Sequence, residues 1–303
     1  MLEILQSTID GVAVGSIIAL GAVGLTLTYG ILRLANFAHG DLLTLGAYVA
    51  FLANTAFKWD IWLSMGFGAI ISVVFVLLSE IVIWEPLRKK KVTATTMMIV
   101  SIGLALFVRN AIILIWDAKP KKYAIPTFEA LNFFGLLITR NKLLVIAIAI
   151  VAVIGLYLLL QKTKIGKAMR AVADNPELAK VAGINVHMVI IFTWIIAGVL
   201  TALGGTMFGL ITNIRPNMGW ILILPMFAAV ILGGIGNPYG AILGAFIIGI
   251  AQELVTGSSC PALLGELGRY CIGTDYKLGV GLVIMIFVLL FRPQGLFKGT
   301  GAK

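Results

Sequence analysis

Nine apolar runs, each long enough to form a helix and separated from the next by a short polar break, constrain this fold more than any other feature. Apolar residues make up 60% of the 303 residues, charged residues make up 12%, and the mean hydropathy is +1.05. A soluble domain has about 25% charged residues. The alternating pattern of barrel strands is absent. The sequence therefore predicts an all-α integral membrane protein, a polytopic helical bundle of about eight to nine transmembrane segments, some of them short or broken.

The predicted segments form a single transmembrane domain over residues 1–303. They lie at residues 9–31, 42–57, 61–84, 92–116, 142–160, 188–211, 220–232, 241–255 and 276–291. A complete crossing needs about 20 residues. The runs at 42–57 and 220–232 are shorter, so not every segment need cross completely. Nine complete crossings would place the two termini on opposite sides of the membrane.

A polar, basic stretch at residues 162–187 stands out near the middle of the chain. The pattern predicts two short helices, at 165–173 and 176–182. Asn175 is suited to cap the second helix, Pro176 to open it and Gly183 to end it. This helix–break–helix is too polar to insert and too short to be a domain, so we interpret it as a segment that a partner protein grips.

The distribution of basic residues predicts the orientation. The run Arg88–Lys91 and the 162–187 stretch are separated by two spans, so both lie on one side. Thirteen Lys and Arg residues fall on that side and nine on the other. The positive-inside rule then makes it the cytoplasmic side. The net charge of +10 is interpreted as loop charge that faces anionic lipid head groups, and no nucleic-acid binding is expected.

Two polar or glycine-rich interruptions are candidates for a transport pathway. The first contains Asn36, His39 and Asp41, and the second contains Gly236 and Asn237. Intramembrane ionisable residues and broken spans are typical of such pathways. The alternative is that His39 and Asp41 lie at the head groups and only hold a turn. We expect at least one interruption to lie on such a pathway rather than on the lipid-facing side.

Nothing in the sequence indicates catalysis or a bound metal. It contains no G-x-x-x-x-G-K-[ST] loop, no H-E-x-x-H zinc motif and no C-x-x-C pair, and it has two His and two Cys in all. Intramembrane charges are too few for an ion-coupled pump, and we expect Arg109 to snorkel towards the interface. The chain is therefore expected to be no enzyme, to hold no cofactor, and to depend on a separate subunit for energy.

Four motifs together resemble a known family. The run from Gly15 to Gly30 leads into R-x-x-N-F-A-H-G-D at residues 33–41, and G-x-A-x-R-A at 166–171 and G-G-x-G at 233–236 follow. In this order they resemble the permease of branched-chain amino-acid ABC importers, the LivH type, over nearly the whole chain. The resemblance implies a multi-pass protein of the bacterial inner membrane. It also implies, as partners, a second related permease, two cytoplasmic ATPase subunits that bind ATP and Mg, and an extracytoplasmic substrate-binding protein.

The resemblance assigns a role to the basic stretch, which we call the coupling segment (residues 162–187). It implies that this segment docks in a groove of an ATPase subunit. The residues expected to serve this docking are Ile165, Gly166, Ala168, Arg170, Ala171, Asn175, Ala179 and Gly183. Alanines at 168, 171 and 179 suit a helix seated closely against another protein.

Two other functions are open at this point. The same machinery carries urea or short amides in close relatives of the family. A self-sufficient carrier or channel is the other alternative, and it would need intramembrane ion ligands.

The two cysteines, Cys260 and Cys271, fall in one loop on the predicted outer side. Disulfides persist in that oxidising space, and Pro261 offers a bend between the two positions. A disulfide is therefore one expectation, and two unpaired thiols are the alternative.

Overall fold

The computed structural model of this chain is a helical bundle with one small β-hairpin. It describes residues 2–125, 131–133, 136–256, 273, 276–292 and 294–297. Its helices are α1 Leu2–Leu32, α2 Ala38–Thr55, α3 Ile61–Ser79, α4 Glu85–Lys89, α5 Ala94–Trp116, α6 Arg140–Lys162, α7 Lys164–Asp174, α8 Pro176–Val181, α9 Val186–Ile211, α10 Met218–Gly233, α11 Pro238–Thr256 and α12 Lys277–Phe291. The predicted fold class, a polytopic all-α bundle, is confirmed.

Among the described residues, six helices are long and apolar enough to cross a membrane. They are Leu2–Leu32, Ile61–Lys89, Ala94–Trp116, Arg140–Lys162, Val186–Ile211 and Pro238–Thr256. Two shorter apolar helices, Met218–Gly233 and Lys277–Phe291, accompany them. The protein is therefore a multi-pass membrane protein, and each of the nine predicted segments corresponds to a helix.

Helix α1 lies at the centre of the bundle because its small residues let other helices approach closely. A Cβ on Gly11 would lie 2.6 Å from the Cα of Ile250, and a Cβ on Gly249 would lie 2.5 Å from the Cα of Gly15. The backbones of α1 and α11 therefore touch along the Gly11-x-x-x-Gly15 stripe of α1. Helix α9 approaches α2 in the same way, since a Cβ on Gly205 would lie 2.0 Å from the carbonyl oxygen of Leu43.

The bundle has two distinct ends. At the hairpin end, strands Leu131–Phe133 and Leu136–Ile138 pair antiparallel, and Gln6 donates to the carbonyl oxygen of Leu137 at 3.0 Å. At the coupling end lie α4, α7 and α8, and the backbone N–H of Leu296 donates to the carbonyl oxygen of Leu232 at 2.8 Å. The first and last described residues thus lie at opposite ends of the bundle, as nine crossings predict.

Several predicted boundaries were wrong. Helix α2 begins at Ala38 rather than at 42, because the side-chain oxygen of Asn36 accepts from the Ala38 N–H at 3.1 Å. Helix α11 begins at Pro238, three residues early, because Asn237 accepts from the N–H of Tyr239 at 3.1 Å. The third span continues past 84 through a π turn (Glu80–Trp84) into α4. The loop predicted at 117–141 contains the hairpin.

Candidate functional site

The coupling segment forms the predicted helix–break–helix. The side chain of Thr163 caps α7 by accepting from the Gly166 N–H at 3.0 Å. Asn175 caps α8 by accepting from the N–H groups of Glu177 and Leu178, both at 3.0 Å, and Pro176 opens that helix. Gly183 follows the end of α8 with φ +83°, a left-handed conformation that favours glycine. The local structure predicted for this segment is confirmed.

The inner face of the coupling segment packs on the bundle. Met169 and Val172 are each 1% exposed, and Ala179 is 4% exposed. A Cβ on Gly166 would lie 2.3 Å from the carbonyl oxygen of Leu159, so this glycine permits the tight corner between α6 and α7. Gly166 and Ala179 therefore serve contacts within the chain.

The outer face of the segment carries two large apolar side chains. Leu178 is 66% exposed and Val181 is 86% exposed. The expectation that Ala179 seats against a partner is wrong, because α8 turns that side chain towards the bundle. Ile165, Ala168 and Ala171 are half-buried. Leu178 and Val181 were not singled out from the sequence, although apolar residues in so polar a stretch were a signal.

Side-chain bonds tie the coupling segment to three other elements. Arg33, just after α1, donates to the carbonyl oxygen of Ala173 at 3.0 Å. Arg170 donates to Gln161 at 2.7 Å, and Gln161 donates to the hydroxyl of Tyr239 on α11 at 3.0 Å. Of these, only Arg170 was expected to belong to the site.

A cavity of about 250 Å³ lies directly beneath α7 at the coupling end. The residues that line it are Thr26, Leu27, Gly30, Ile31, Leu160, Met169, Arg170, Ala173, Gly236, Asn237, Pro238 and Tyr239. The Gly236 N–H donates to the hydroxyl of Thr26 at 3.0 Å, which fixes the second predicted interruption against α1. The structure therefore places Gly236 and Asn237 beside the coupling segment.

The first interruption lies deeper in the bundle. Asn36 is 0% exposed, His39 is 1% exposed and Asp41 is 0% exposed. One ring nitrogen of His39 lies 2.9 Å from the carbonyl oxygen of Gly21 on α1. These residues are buried among helices, so the structure does not group them with Gly236 and Asn237.

Asp41 forms an ion pair with Arg109 of α5. The Nε and Nη2 groups of Arg109 donate to the two carboxylate oxygens at 3.1 and 2.9 Å. The guanidinium carbon lies 5.0 Å from the ring centroid of Trp220 on α10. The expectation that Arg109 snorkels is therefore wrong. The presence of one acidic and one basic residue in apolar segments was the signal that could have paired them.

A second buried carboxylate, Glu80, was not singled out from the sequence. It forms an ion pair with Arg88, and its Oε2 accepts from the indole N–H of Trp194 on α9 at 2.7 Å. The spacing of eight residues between Glu80 and Arg88 was a signal, since it corresponds to about two helical turns. The hydrogen bond from Trp194 to Glu80 joins the α3–α4 helix to α9 near the coupling end.

Cys260 and Cys271 lie outside the residues that the structure describes. The expected disulfide between them stays a prediction.

Comparisons with known proteins agree with this architecture. The chain matches the family model "Branched-chain amino acid transport system / permease component" over residues 7–289. It is 32% identical to the "High-affinity branched-chain amino acid transport system permease protein BraD" of Pseudomonas aeruginosa, over 96% of this chain and 95% of the relative. It is 30% identical to the corresponding LivH protein of Escherichia coli K12, over 97% and 96%.

One solved structure also shares the fold. A chain of "PsaBC from Streptococcus pneumoniae in complex with Fab" aligns with a TM-score of 0.52 at 13% identity, over 96% of this chain and 92% of that chain. At that identity the likeness concerns the fold alone. The family match covers nearly all of the sequence, and the relatives align over almost their whole length. This chain therefore belongs to the family of permease components of branched-chain amino acid transport systems.

Proposed function

We propose that this chain is the transmembrane permease subunit of an ATP-binding-cassette importer of branched-chain or other neutral amino acids. The coupling segment would dock with an ATPase subunit, and a second related permease would complete the pathway. An extracytoplasmic binding protein would deliver the cargo. The observation that carries the proposal is the exposed apolar pair, Leu178 and Val181, on a helix held against the end of a spanning bundle.

The exposed pair favours a protein partner. Leu178 and Val181 are three residues apart on α8, so they lie on one face. Helix α8 has six residues and is flanked by charged positions, so it does not reach into a bilayer. Two large apolar side chains in water are more stable when a partner covers them. An ATPase subunit with an apolar groove suits this face.

The contacts of the segment also favour a mechanical role. A push on α7 would reach the link between α1 and α2 through Arg33, and it would reach α11 through Arg170, Gln161 and Tyr239. The buried Met169 and Val172 make α7 move with the bundle rather than slide over it. Closure of the ATPase subunits would thus move α1, α2 and α11 within the helical bundle.

The charge distribution supports a location in the bacterial inner membrane with the coupling end in the cytoplasm. The basic residues at the coupling end include Arg33, Arg88, Lys89, Lys90, Lys91, Lys162, Lys164, Lys167 and Arg170, as the positive-inside rule expects of a cytoplasmic side. ATP and Mg would bind to the partner ATPases, because this sequence has no phosphate-binding loop. The purified chain alone should therefore hydrolyse no ATP, and measurable turnover by it would contradict this assignment.

Docking can be tested with the variant Leu178→Ser/Val181→Ser. We expect at least a tenfold loss of co-purified ATPase subunits and of uptake, with unchanged membrane insertion. The matched control is Leu5→Ser, because Leu5 is 50% exposed at the opposite end of the bundle. Undiminished ATPase recovery with the double variant would overturn the docking surface.

The cargo can be tested with the reconstituted importer and its binding protein in proteoliposomes. We expect ATP-dependent uptake of leucine, isoleucine or valine that urea and acetamide do not inhibit. Uptake of urea or an amide in preference to these amino acids would contradict the proposed substrate class.

A further inference from the structure

Helices α2 and α10 begin side by side inside the bundle and run in opposite directions. The Gly219 N–H donates to the hydroxyl of Thr44 at 3.0 Å, and a Cβ on Gly219 would lie 1.9 Å from the carbonyl oxygen of Gly40. From this crossing α2 runs to the hairpin end and α10 to the coupling end. Two helix N-termini, each with a partial positive charge, therefore lie together.

The crossing lies well inside the spanning region. Arg109, whose guanidinium contacts both α2 and α10, is fifteen residues past the start of α5 at the coupling end. At 1.5 Å per residue that is about 22 Å along a helix about 34 Å long. The two helices that begin at the crossing are short, since α2 has 18 residues and α10 has 16. Broken spans that meet within a membrane are the usual surroundings of a substrate site.

The ion pair at the crossing has unused binding capacity. A guanidinium has five N–H donors, and Arg109 directs two of them to Asp41. The Asp41 side chain is 1% exposed, whereas that of Arg109 is 16% exposed. Arg109 can therefore offer further donors on its open side without releasing Asp41. A charge pair costs free energy within a membrane, and an apolar contact could join α2 and α5 at lower cost.

Apolar surface adjoins the pair, and an unpaired polar group lies one turn before it on the chain that enters α2. Trp220, beneath the guanidinium, is 40% exposed, and Leu106, one turn before Arg109 on α5, is 47% exposed. The side-chain Nδ2 of Asn36, two residues before α2, is buried and has no hydrogen-bond partner among the described residues. The region around Arg109 thus combines a carboxylate, a guanidinium and an aromatic face.

We propose that Asp41 and Arg109 form a binding station for the zwitterionic head group of the cargo. The cargo carboxylate would accept from the open donors of Arg109, near the two helix N-termini, and the buried carboxylate of Asp41 would attract the cargo ammonium group through space. The aliphatic side chain would lie on Trp220. This inference rests on the proposed function and deepens it, because it requires cargo with both charges.

The matching of charges explains why the station suits a neutral amino acid. Each cargo charge meets an opposite one, so the dehydrated complex carries no net charge beyond that of the empty pair. A solute that has only one of the two charges leaves an unbalanced charge in a region of low dielectric constant, which is costly. An uncharged solute can form hydrogen bonds with the pair but gains no charge–charge attraction from it.

The test uses the complete importer in proteoliposomes with Leu106→Cys as reporter. A charged, water-soluble thiol reagent is applied, and labelling of position 106 is measured by mass spectrometry of its peptide. L-leucine should slow this labelling at least threefold. L-leucinamide, which lacks the carboxylate, and 4-methylpentanoate, which lacks the amine, should not. The double variant Asp41→Asn/Arg109→Gln should abolish protection by leucine.

A control reports on the other side of α5. Leu114 is 88% exposed and lies about 140° around the helix from Arg109. Leu114→Cys should show no protection by leucine. The comparison of leucine, leucinamide and 4-methylpentanoate is made with the ion pair intact. Its result therefore does not depend on how well the Asp41→Asn/Arg109→Gln variant folds.

The outcomes separate this inference from the proposed function. An unreactive Leu106→Cys, or protection by leucinamide equal to that by leucine, overturns the binding station. Leucine uptake by the same vesicles without any protection overturns the station and leaves the importer function standing. Protected labelling without ATP-dependent uptake supports the station and contradicts the importer function.

Discussion

Removal of the Glu80 carboxylate should weaken the attachment of α9 to the α3–α4 helix. Glu80 is 1% exposed within the π turn. It accepts from the indole of Trp194 at 2.7 Å and forms an ion pair with Arg88. The ring of Trp84 stacks on that of Trp194, with centroids 6.4 Å apart. Since α9 directly follows the coupling segment, this cluster holds the base of the helix that would transmit movement in the proposed function.

The expected loss of stability follows from the burial of each partner. Trp194 is 0% exposed, so Glu80→Ala leaves its N–H without an acceptor, at a cost of about 1–3 kcal/mol. Breaking a fully buried ion pair costs about 3–5 kcal/mol. The Arg88 side chain is 23% exposed and can turn towards water, which reduces that cost. We therefore expect Glu80→Ala to lower the free energy of unfolding by about 3 kcal/mol in total.

The assay is unfolding of the purified protein in mixed micelles as the SDS fraction rises, followed by near-ultraviolet circular dichroism. Glu80→Gln keeps a carbonyl acceptor for Trp194, so it should lose less than half as much as Glu80→Ala. Glu85→Ala is the matched control, because Glu85 pairs with Lys89 at 2.8 Å on the surface and its loss should leave the midpoint unchanged. A Glu80→Ala midpoint equal to that of the wild type would refute the reasoning.

Three further predictions test other parts of the structure. Gly205→Ala should separate α9 from α2, since its Cβ would lie 2.0 Å from the carbonyl oxygen of Leu43, and should sharply reduce the yield of folded protein in size-exclusion chromatography. Gly103→Ala is the control, because a Cβ at Gly103 would have nothing within 4 Å and should not change the yield. Equal yields of the two variants would contradict the packing. Asn175→Ala should remove the cap of α8, destabilise that helix by about 1 kcal/mol and speed backbone hydrogen exchange at residues 176–181. Asn175→Ser keeps a side-chain acceptor and should retain the protection from exchange. Unchanged exchange in the alanine variant would show that the cap is dispensable. Thiol labelling of unreduced, denatured protein should find no free thiol at Cys260 and Cys271, and two labelled thiols would refute the disulfide.

Interior packing explains why the surroundings of the candidate pathway residues could only partly be predicted from the sequence. Asp41 was recognised because a carboxylate beside an apolar run is rare, but its partner Arg109 is 68 positions away. Nothing local in the sequence states which face of α5 meets α2. That contact depends on the depth at which α2 begins. The helix starts at Ala38, four residues before the predicted run, where the Ala38 N–H donates to the side-chain oxygen of Asn36.

The coupling segment shows how far local rules extend. Asn175, Pro176 and Gly183 act through neighbouring backbone groups, so their roles as cap, first residue and helix end followed from the sequence. The direction of each side chain did not follow. Ala179 and Leu178 are adjacent, yet the first is 4% and the second 66% exposed. Their exposure depends on how α8 lies on the bundle.

The sequence alone determined that this chain is a membrane-spanning helical bundle with a basic helix–break–helix at one end. Hydrophobicity and local backbone chemistry are properties of short stretches, and these two conclusions depend on nothing else. Only the tertiary structure decided that Asp41 meets Arg109, that Glu80 meets Trp194 and that α2 and α10 begin together at Gly40 and Gly219. Such contacts depend on the depth and rotation of whole helices, which are set by the close approach of small residues across the bundle rather than by any one segment.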